Sequence, residues 1–418
     1  MFILTNYKTN HQAFTLVELL VVIVIIGILS TLAIIALGNI RAKSRDAKRV
    51  ADLKQISTAL ELFYDDHGYY PTIITPGNSL MSVDGTTAYL AIIPSNPTPR
   101  NDGSCPDKNY FYQSFNSQAN YYLLACLSSS QASLAAGVVK VSNSSGVASS
   151  LILDDSPLLA DAAFSLRKLT KNYDGPVIKL RRVDNSEQDF YFKDDLVDLE
   201  AIRNWNITNE DLFVVTWYDQ SGNAWHKTQT SASAQLKFNS LEGYLYDVNT
   251  VTKPGTSTYL QTGSRNFGLL TNLQILAVEY LRNNVGNPST VGVYSPVSSN
   301  IFSFMQKYGG SGNGRWLSRT INSVTVNGSY YGRHAAWDLI SIKADENNSI
   351  IKWNNNLTQE AFGLGNSYSD NIKMSWAVFK WSDTDMRVKE VIYFINKSMD
   401  DSTFDALRQN QNFYFNLY

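Results

Sequence analysis

Residues 16–38 read LVELLVVIVIIGILSTLAIIALG. The run exceeds the ~20 apolar residues that a helix needs to cross a bilayer. It holds one charge, Glu18, close to its start. A carboxylate at that depth costs about 2.5–3.5 kcal/mol on insertion scales, so it needs a partner. Upstream lies MFILTNYKTNHQA, and downstream come Arg41, Lys43, Arg45, Lys48 and Arg49. A cleaved signal peptide would have a shorter apolar region followed by a small-x-small site, and neither fits. The basic cluster after the run, taken alone, would leave the C-terminus in the cytoplasm. Export of the remaining chain therefore needs a dedicated route.

The helical pattern continues past the apolar run. In NIRAKSRDAKRVADLKQISTALELFYDDHGYYPT, Leu53, Ile56, Leu60 and Phe63 recur at three- and four-residue spacing and make one apolar stripe. Asp46, Lys48, Asp52, Lys54 and Glu61 lie off the stripe. His67-Gly68 and Pro71 supply a stop. The spacing predicts one helix from Phe14 to Asp66, about 75–80 Å long.

The segment AFTLVELLVVIVIIGIL resembles the N-terminal signature of type IV pilins and type II secretion pseudopilins. The resemblance implies a leader of residues 1–13, cut by a prepilin peptidase between Ala13 and Phe14, with N-methylation of Phe14. Ala13 stands where the family most often has Gly, and the family's frequent mid-helix proline is missing near Ile35. Removing the leader leaves 418 − 13 = 405 residues. Cleavage creates an ammonium at Phe14, and Glu18 would neutralise one from a neighbouring subunit inside a bundle. The implied partners are other pilin subunits, the peptidase and an assembly platform in the membrane. The implied location is a single-pass membrane protein, leader cytoplasmic and C-terminus outside, that becomes an extracellular filament. The DDHGYYPT ending of the helix also resembles pilins and the major pseudopilin.

Residues 67–141 then read as a small globular head. Turn clusters PGNS and PSNPTPRNDGS are followed by short strands at 110–115 and 120–127, which suits a small antiparallel sheet. Cys105 and Cys126 are the only cysteines, and an exported head favours a disulfide between them. Closing such a loop stabilises by about 3 kcal/mol. From Ser142 the chain reads SNSSGVASSLILDDSP, rich in small residues, which predicts a flexible linker over 142–157.

Residues 158–418 are a different material. All 8 tryptophans lie at or beyond Trp205. Segments 177–183, 212–218, 273–281, 372–381 and 389–395 are rich in β-branched and aromatic residues, and turn clusters separate them. This predicts an all-β, two-sheet sandwich, with short helices at Asp161–Lys168 and from Asp401 to Gln411. AAFSLRKLTKNYDGPVIKLRRVDNSEQDFYF, FVVTWYDQSGNAWHKTQ and the closing KEVIYFINKSMDDSTFDALRQNQNFYF resemble the arabinofuranosidase B β-sandwich, a concanavalin A-like lectin/glucanase jelly roll. The whole is thus an α+β pilin module followed by an all-β sandwich.

A retaining glycosidase needs two carboxyl groups about 5–5.5 Å apart. The family places its nucleophile on a middle strand, yet no Asp or Glu occurs between Glu279 and Asp338. Arg315 and Arg319 stand where the nucleophile is expected. Glu279, Asp383 and Asp385 are the fallback carboxylates for a filament-tethered hydrolase, and the sequence favours no catalytic residue. Ligand-binding candidates are Asp219 and Asn223 in WYDQSGN, with Trp225, Trp316 and Trp353 as stacking surfaces. The competing reading of Asp219 is a side-chain-to-backbone turn that closes a core strand. Lys+Arg 35 against Asp+Glu 37 leaves no electrostatic footprint for nucleic acid. Scattered histidines and two cysteines predict no metal and no cofactor. The sequence therefore reads as a pilin-like filament subunit that displays a lectin-like domain for glycan binding or adhesion. A tethered arabinofuranosidase-like hydrolase, a type II secretion pseudopilin and a structural filament coat are the alternatives.

Overall fold

The computed structural model describes residues 16–415 except 104, 116, 135, 144, 155, 157, 249–258, 268–270, 283–288, 295–300, 310–311, 322–323, 328–336, 345–348, 354–355, 361–370 and 378–384. Within its elements, side chains at 16, 18, 31–36, 115, 145, 247–248, 259, 281–282, 289–327, 344–386 and 402 are not described.

Helix α1 runs from Leu16 to His67, 52 residues, or about 78 Å at 1.5 Å per residue. It ends where Gly68 adopts φ +73° and donates its N–H to the Tyr64 carbonyl at 2.7 Å. A left-handed residue after the last turn is the usual helix stop, and only glycine takes it without a Cβ penalty. Among the described residues, no helix is long and apolar enough to cross a membrane. The expected span over 16–38 includes residues 18 and 31–36, whose side chains lie outside the described set.

The predicted stripe holds. Leu53, Ile56, Leu60 and Phe63 are buried, and they pack on Tyr121, Leu123, Ala125 and Leu127. Those four residues are one face of strand Asn120–Leu127. Its sheet is antiparallel, in the order Phe111–Phe115, Asn120–Leu127, Gly137–Ser142, Ser145–Ser149. Cys105 and Cys126 are joined by a disulfide, Cα–Cα 5.5 Å.

The linker expected over 142–157 is not free chain. Ser145–Ser149 is the edge strand of the head sheet. Ser150 is buried and its Oγ accepts a hydrogen bond from Asn410. Ile152 is fully buried among residues of the second unit, including Leu276, Ile392 and Phe394. Small side chains had the composition of a linker, but they also fit an edge strand and a close junction.

The second unit is built of antiparallel strands. Asp385–Ile395 is central, between Leu273–Arg282 on one side and Ala162–Ser165 with Tyr244–Val248 on the other. Trp337–Ala344, Ser349–Trp353 and Asn356–Glu360 extend the first side. Lys237–Asn239, Leu212–Trp217, Ile178–Arg181 and Glu187–Phe190 extend the second. Tyr259–Gln261, Asn371–Ala377, Ser289–Tyr294, Ile301–Gly309, Gly312–Ile321 and Val324–Asn327 complete the sandwich, joined through Lys227–Thr228. Its core holds Phe164, Trp217, Ile275, Ile340 and Tyr393.

The helix expected at Asp161–Lys168 is instead strand Ala162–Ser165, wholly buried and paired with Tyr393–Glu390. A ladder satisfies its backbone while both faces are covered, which an exposed helical turn cannot do. Helix α2 spans Leu199–Trp205. Its start is capped by Asp198, which accepts from the Ala201 N–H. Helix α3, Asp401–Phe415, closes the chain. One end of α3 lays Phe404 and Leu407 on the sheet's outer face. The other lays Phe413 on Cys105, Tyr122, Leu124, Cys126 and Val138 of the head. Strand Asn120–Leu127 is thus covered on both faces, by α1 and by α3.

Candidate functional site

The two halves of α1 have opposite surroundings. The C-terminal half is sealed by the head, whereas Val17, Leu19, Ile23, Leu29, Leu37 and Ile40 are each between 50% and 70% exposed. Burying side chains of this size is worth about 1.5–3 kcal/mol each. Apolar side chains this exposed demand a cover that one chain does not supply.

An ionic cluster locks the head onto the helix where the apolar half ends. Arg49 is fully buried. It donates to Asp46 at 2.6 Å, Asp102 at 2.9 Å and Asn96 at 2.8 Å. Arg45 donates to Asp102 at 2.7 Å. Asp46 also accepts from the Ser128 and Ser129 N–H groups, each at 3.0 Å. Asp46 and Asp52 lie off the apolar stripe yet are buried, because Ser128 and Ser129 bring donors to Asp46 and the Tyr110 hydroxyl donates to Asp52. The Arg45 guanidinium, hydrogen-bonded to Asp102, holds that carboxyl below its ordinary range, and Arg49 adds to the effect.

Ala13, Phe14 and Asp383 lie outside the described residues, as do the side chains of Glu18, Trp316, Trp353 and Asp385. Three of the ligand-binding candidates are described, and their places correct the expectation. Asp219 is 1% exposed. Its carboxylate accepts from the N–H groups of Ala163, Ser221 and Trp225 at 2.8–2.9 Å and from the Ser221 hydroxyl at 2.9 Å. Those donors occupy the oxygens that a sugar hydroxyl would need. Trp225 is buried, donates Nε1–H to the Gly263 carbonyl and packs at a tilt against Phe267, 5.2 Å between centroids. It presents no open face. Asn223 donates its amide to the Ala160 and Asp161 carbonyls. Neighbouring Gln220 donates to the Ser165 and Arg167 carbonyls and accepts from the Leu169 N–H. WYDQSGN therefore stitches strand Ala162–Ser165 into the sandwich.

Glu279 sits in a polar cluster that the sequence did not assemble. It pairs across strands with Asp338, and both are buried. Alternation with Ile275, Ala277, Ile340 and Ile342 turns both carboxylates into the sandwich. Lys227 is fully buried there and donates to the Tyr393 hydroxyl at 3.0 Å. Its ammonium lies 4.7 Å from the Phe164 ring. Burial pushes the Lys227 amine down to about 7, against the pull of Glu279 and Asp219. In the sequence Asp338 stood only as the next acidic residue after Glu279, and Lys227 carried no signal. With Glu279 at 2% and Asp338 at 0% exposure, this pair is almost wholly shielded from solvent. Among the described residues no group of His, Cys, Asp and Glu could hold a metal ion.

The prokaryotic N-terminal methylation motif, as a family model, matches residues 8–34. The N-terminal module is pilin-like. The type II secretion system core protein G of Vibrio cholerae is 34% identical over 92 residues, 22% of this chain and 56% of that protein. The Escherichia coli core protein G is 39% identical over 63 residues, 15% of this chain and 43% of that protein. The chain spans about half the length of the curated relatives it matches. A solved GH54 α-L-arabinofuranosidase covers 63% of this chain and 64% of its own at 14% identity, TM-score 0.47. The binding domain of Paraclostridial Mosquitocidal Protein 1 covers 49% and 52% at 11% identity, TM-score 0.37. Those likenesses are too low to carry chemistry to the sandwich. The pilin-like module and the sandwich meet through α3 and the disulfide-bearing face of the head.

Proposed function

We propose that this chain is a filament subunit that carries its β-sandwich outward as a rigid, non-catalytic binding domain. The exposed apolar half of α1 carries the reading. The methylation motif over residues 8–34 marks the same stretch. In the precursor, lipid covers that face; in the filament, the helices of neighbouring subunits do. The prepilin peptidase cuts between Ala13 and Phe14, the new amine is methylated, and Glu18 neutralises the ammonium of an adjacent subunit. The C-terminal part then lies outside the cell.

The sandwich rides on the head without slack. Phe413 fills a pocket beside Cys126, and Asn410 holds Ser150 at 2.9 Å. A rigid mount transmits a load from a bound surface to the shaft, which suits adhesion to glycans. The burial of Glu279 and Asp338 supports binding rather than hydrolysis.

The core protein G relatives favour a second setting, a short rod inside a secretion machine. Filaments visible on the cell surface select the pilus. The assembly reading is tested with Glu18→Ala in the full chain. Membrane insertion should persist while filament yield falls at least about tenfold, and a normal yield would refute charge pairing.

A further inference from the structure

Side-chain contacts define the level at which α1 leaves the head. The Gln131 amide donates to the Lys43 carbonyl at 3.3 Å. The Ser128 and Ser129 hydroxyls donate to Asp46 at 2.7 and 3.0 Å. Loop 128–131 therefore forms the base of the head around residues 43–46, and its sequence, SSSQ, is polar without charge. The exposed apolar half of α1 reaches Ile40, 63% exposed, just before this level. Arg41 and Lys43 stand at the exit, both exposed. They follow the apolar half on the side that the proposed topology puts outside, where the positive-inside rule disfavours them. A local partner has to offset that cost.

The chain itself does not supply that partner. Asp46 is buried against Arg49, and Asp102 receives both Arg45 and Arg49. These two arginines and two carboxylates cancel. Asp52, buried, receives Lys48 at 2.9 Å, and Asp107 faces Arg100 at 3.9 Å. The sandwich brings Asp194, Asp195 and Glu242 to cavities that Ser128 and Ser130 also line, with Lys168, Lys193 and Lys389 among them. These groups flank the base on the sandwich side. Among the described residues no ion pair reaches Arg41 or Lys43. At about 100° per residue the two lie on nearly opposite sides of α1, so they make a collar around the helix rather than a patch.

We propose that Arg41 and Lys43 bind the phosphates of anionic phospholipids and so set the depth at which the subunit waits in the membrane before assembly. The proposal rests on the reading of the apolar half of α1 as lipid-covered in the precursor, and it names the lipid. Two uncompensated cations favour a headgroup with net negative charge over a zwitterionic one, whose phosphate already has a cation. An arginine fork fits phosphate oxygens. Both side chains are long enough to hold their charge among headgroups while their stems cover the end of the apolar helix. The serine loop lets the base of the head rest against the same headgroups, with hydroxyls and no carboxylate to repel them. Each basic side chain near an anionic surface favours it by about fivefold.

The test reconstitutes the full chain in phosphatidylcholine vesicles that hold about 30 mol% phosphatidylglycerol, at about 0.15 M salt. Spin-labelled phosphatidylglycerol and phosphatidylcholine report which lipid the protein immobilises. The native chain should prefer phosphatidylglycerol at least about threefold, and about 1 M salt should remove the preference. Arg41→Gln with Lys43→Gln should remove it at low salt, and Arg41→Lys should keep most of it. Lys54→Gln is the control. Lys54 is also exposed on α1 but lies about 21 Å beyond Ile40, so its loss should change nothing. Vesicle flotation and tryptophan fluorescence check that each variant inserts and that the sandwich stays folded. Equal immobilisation of the two lipids by the inserted native chain overturns the collar alone, and so does a preference that survives in the double variant. A native chain that does not float with the vesicles overturns the lipid-covered reading of α1 as well.

Discussion

Replacing Arg49 by Met should unfasten the head from α1. Arg49 is fully buried between Asp46 and Asp102. Removing one partner of a buried ion pair typically costs about 3–5 kcal/mol. Part of that is offset here, because Asp46 keeps the Ser128 and Ser129 donors and Asp102 keeps Arg45. The expected loss is therefore at the lower end, about 3 kcal/mol. Lys48→Met is the comparison. Lys48 also meets a carboxylate, Asp52 at 2.9 Å, but its side chain is 57% exposed, so the loss should stay under about 1 kcal/mol. Hydrogen exchange of strand Asn120–Leu127 reads the head, while tryptophan fluorescence reads only the sandwich, since every Trp lies at or beyond Trp205. Exchange in the head should accelerate about a hundredfold in Arg49→Met, from about 1.4 kcal/mol per factor of ten. Acid adds a second check. The Asp102 carboxyl is depressed by Arg45 and Arg49, so its stabilisation is present above the unfolded value and lost as pH falls through the folded one. That acid-labile part should shrink in the variant. A change under about threefold, or the same change in Lys48→Met, would refute the clamp.

The sandwich should gain stability between about pH 6.5 and about pH 9.5, by about 3 kcal/mol from Lys227. Its amine is lowered from 10.5 to about 7 on folding, so over this window the unfolded chain binds more protons. Tryptophan-monitored urea unfolding of Lys227→Met should lose that slope, and an unchanged slope would discount the buried amine. Asp219→Ala should destabilise the sandwich by about 3 kcal/mol or more, because the N–H groups of Ala163, Ser221 and Trp225 lose their acceptor. Native stability in that variant would return Asp219 to the ligand-binding candidates.

How far the sequence led differs by element. Helix α1 was legible almost to the residue, because a 52-residue element repeats one local rule. The strands Leu212–Trp217 and Leu273–Arg282 were legible for the same reason, and of Asp385–Ile395 the part from residue 389 onward was. The segment 161–168 misled, since Ala162, Ala163 and Leu166 suit a helix as well as a buried strand. Only the ladder to Asp385–Ile395 and the Asp219 carboxylate decide between them. Trp225 misled as a stacking candidate, because polar neighbours in sequence say nothing about the Phe267 ring and the Gly263 carbonyl that enclose it. Glu279 was seen singly. Its partners Asp338, Lys227 and Tyr393 come from distant strands, and register alone brings them together.

By itself, the sequence determined that a long apolar helix begins the chain, that a small head follows and that an aromatic β unit ends it. Those are consequences of periodicity and composition, which act over a few residues. It also held a clue about the junction: NYYLLACL is apolar on both faces of one strand, so two layers must cover it. Which layers those are was decided only by the tertiary structure. α1 takes Tyr121, Leu123, Ala125 and Leu127, and α3 takes Tyr122, Leu124 and Cys126. The residues that meet there, Cys126 and Phe413, are joined by packing across nearly the whole second unit. No local pattern encodes such a contact, and it turns an expected tether into a fixed mount.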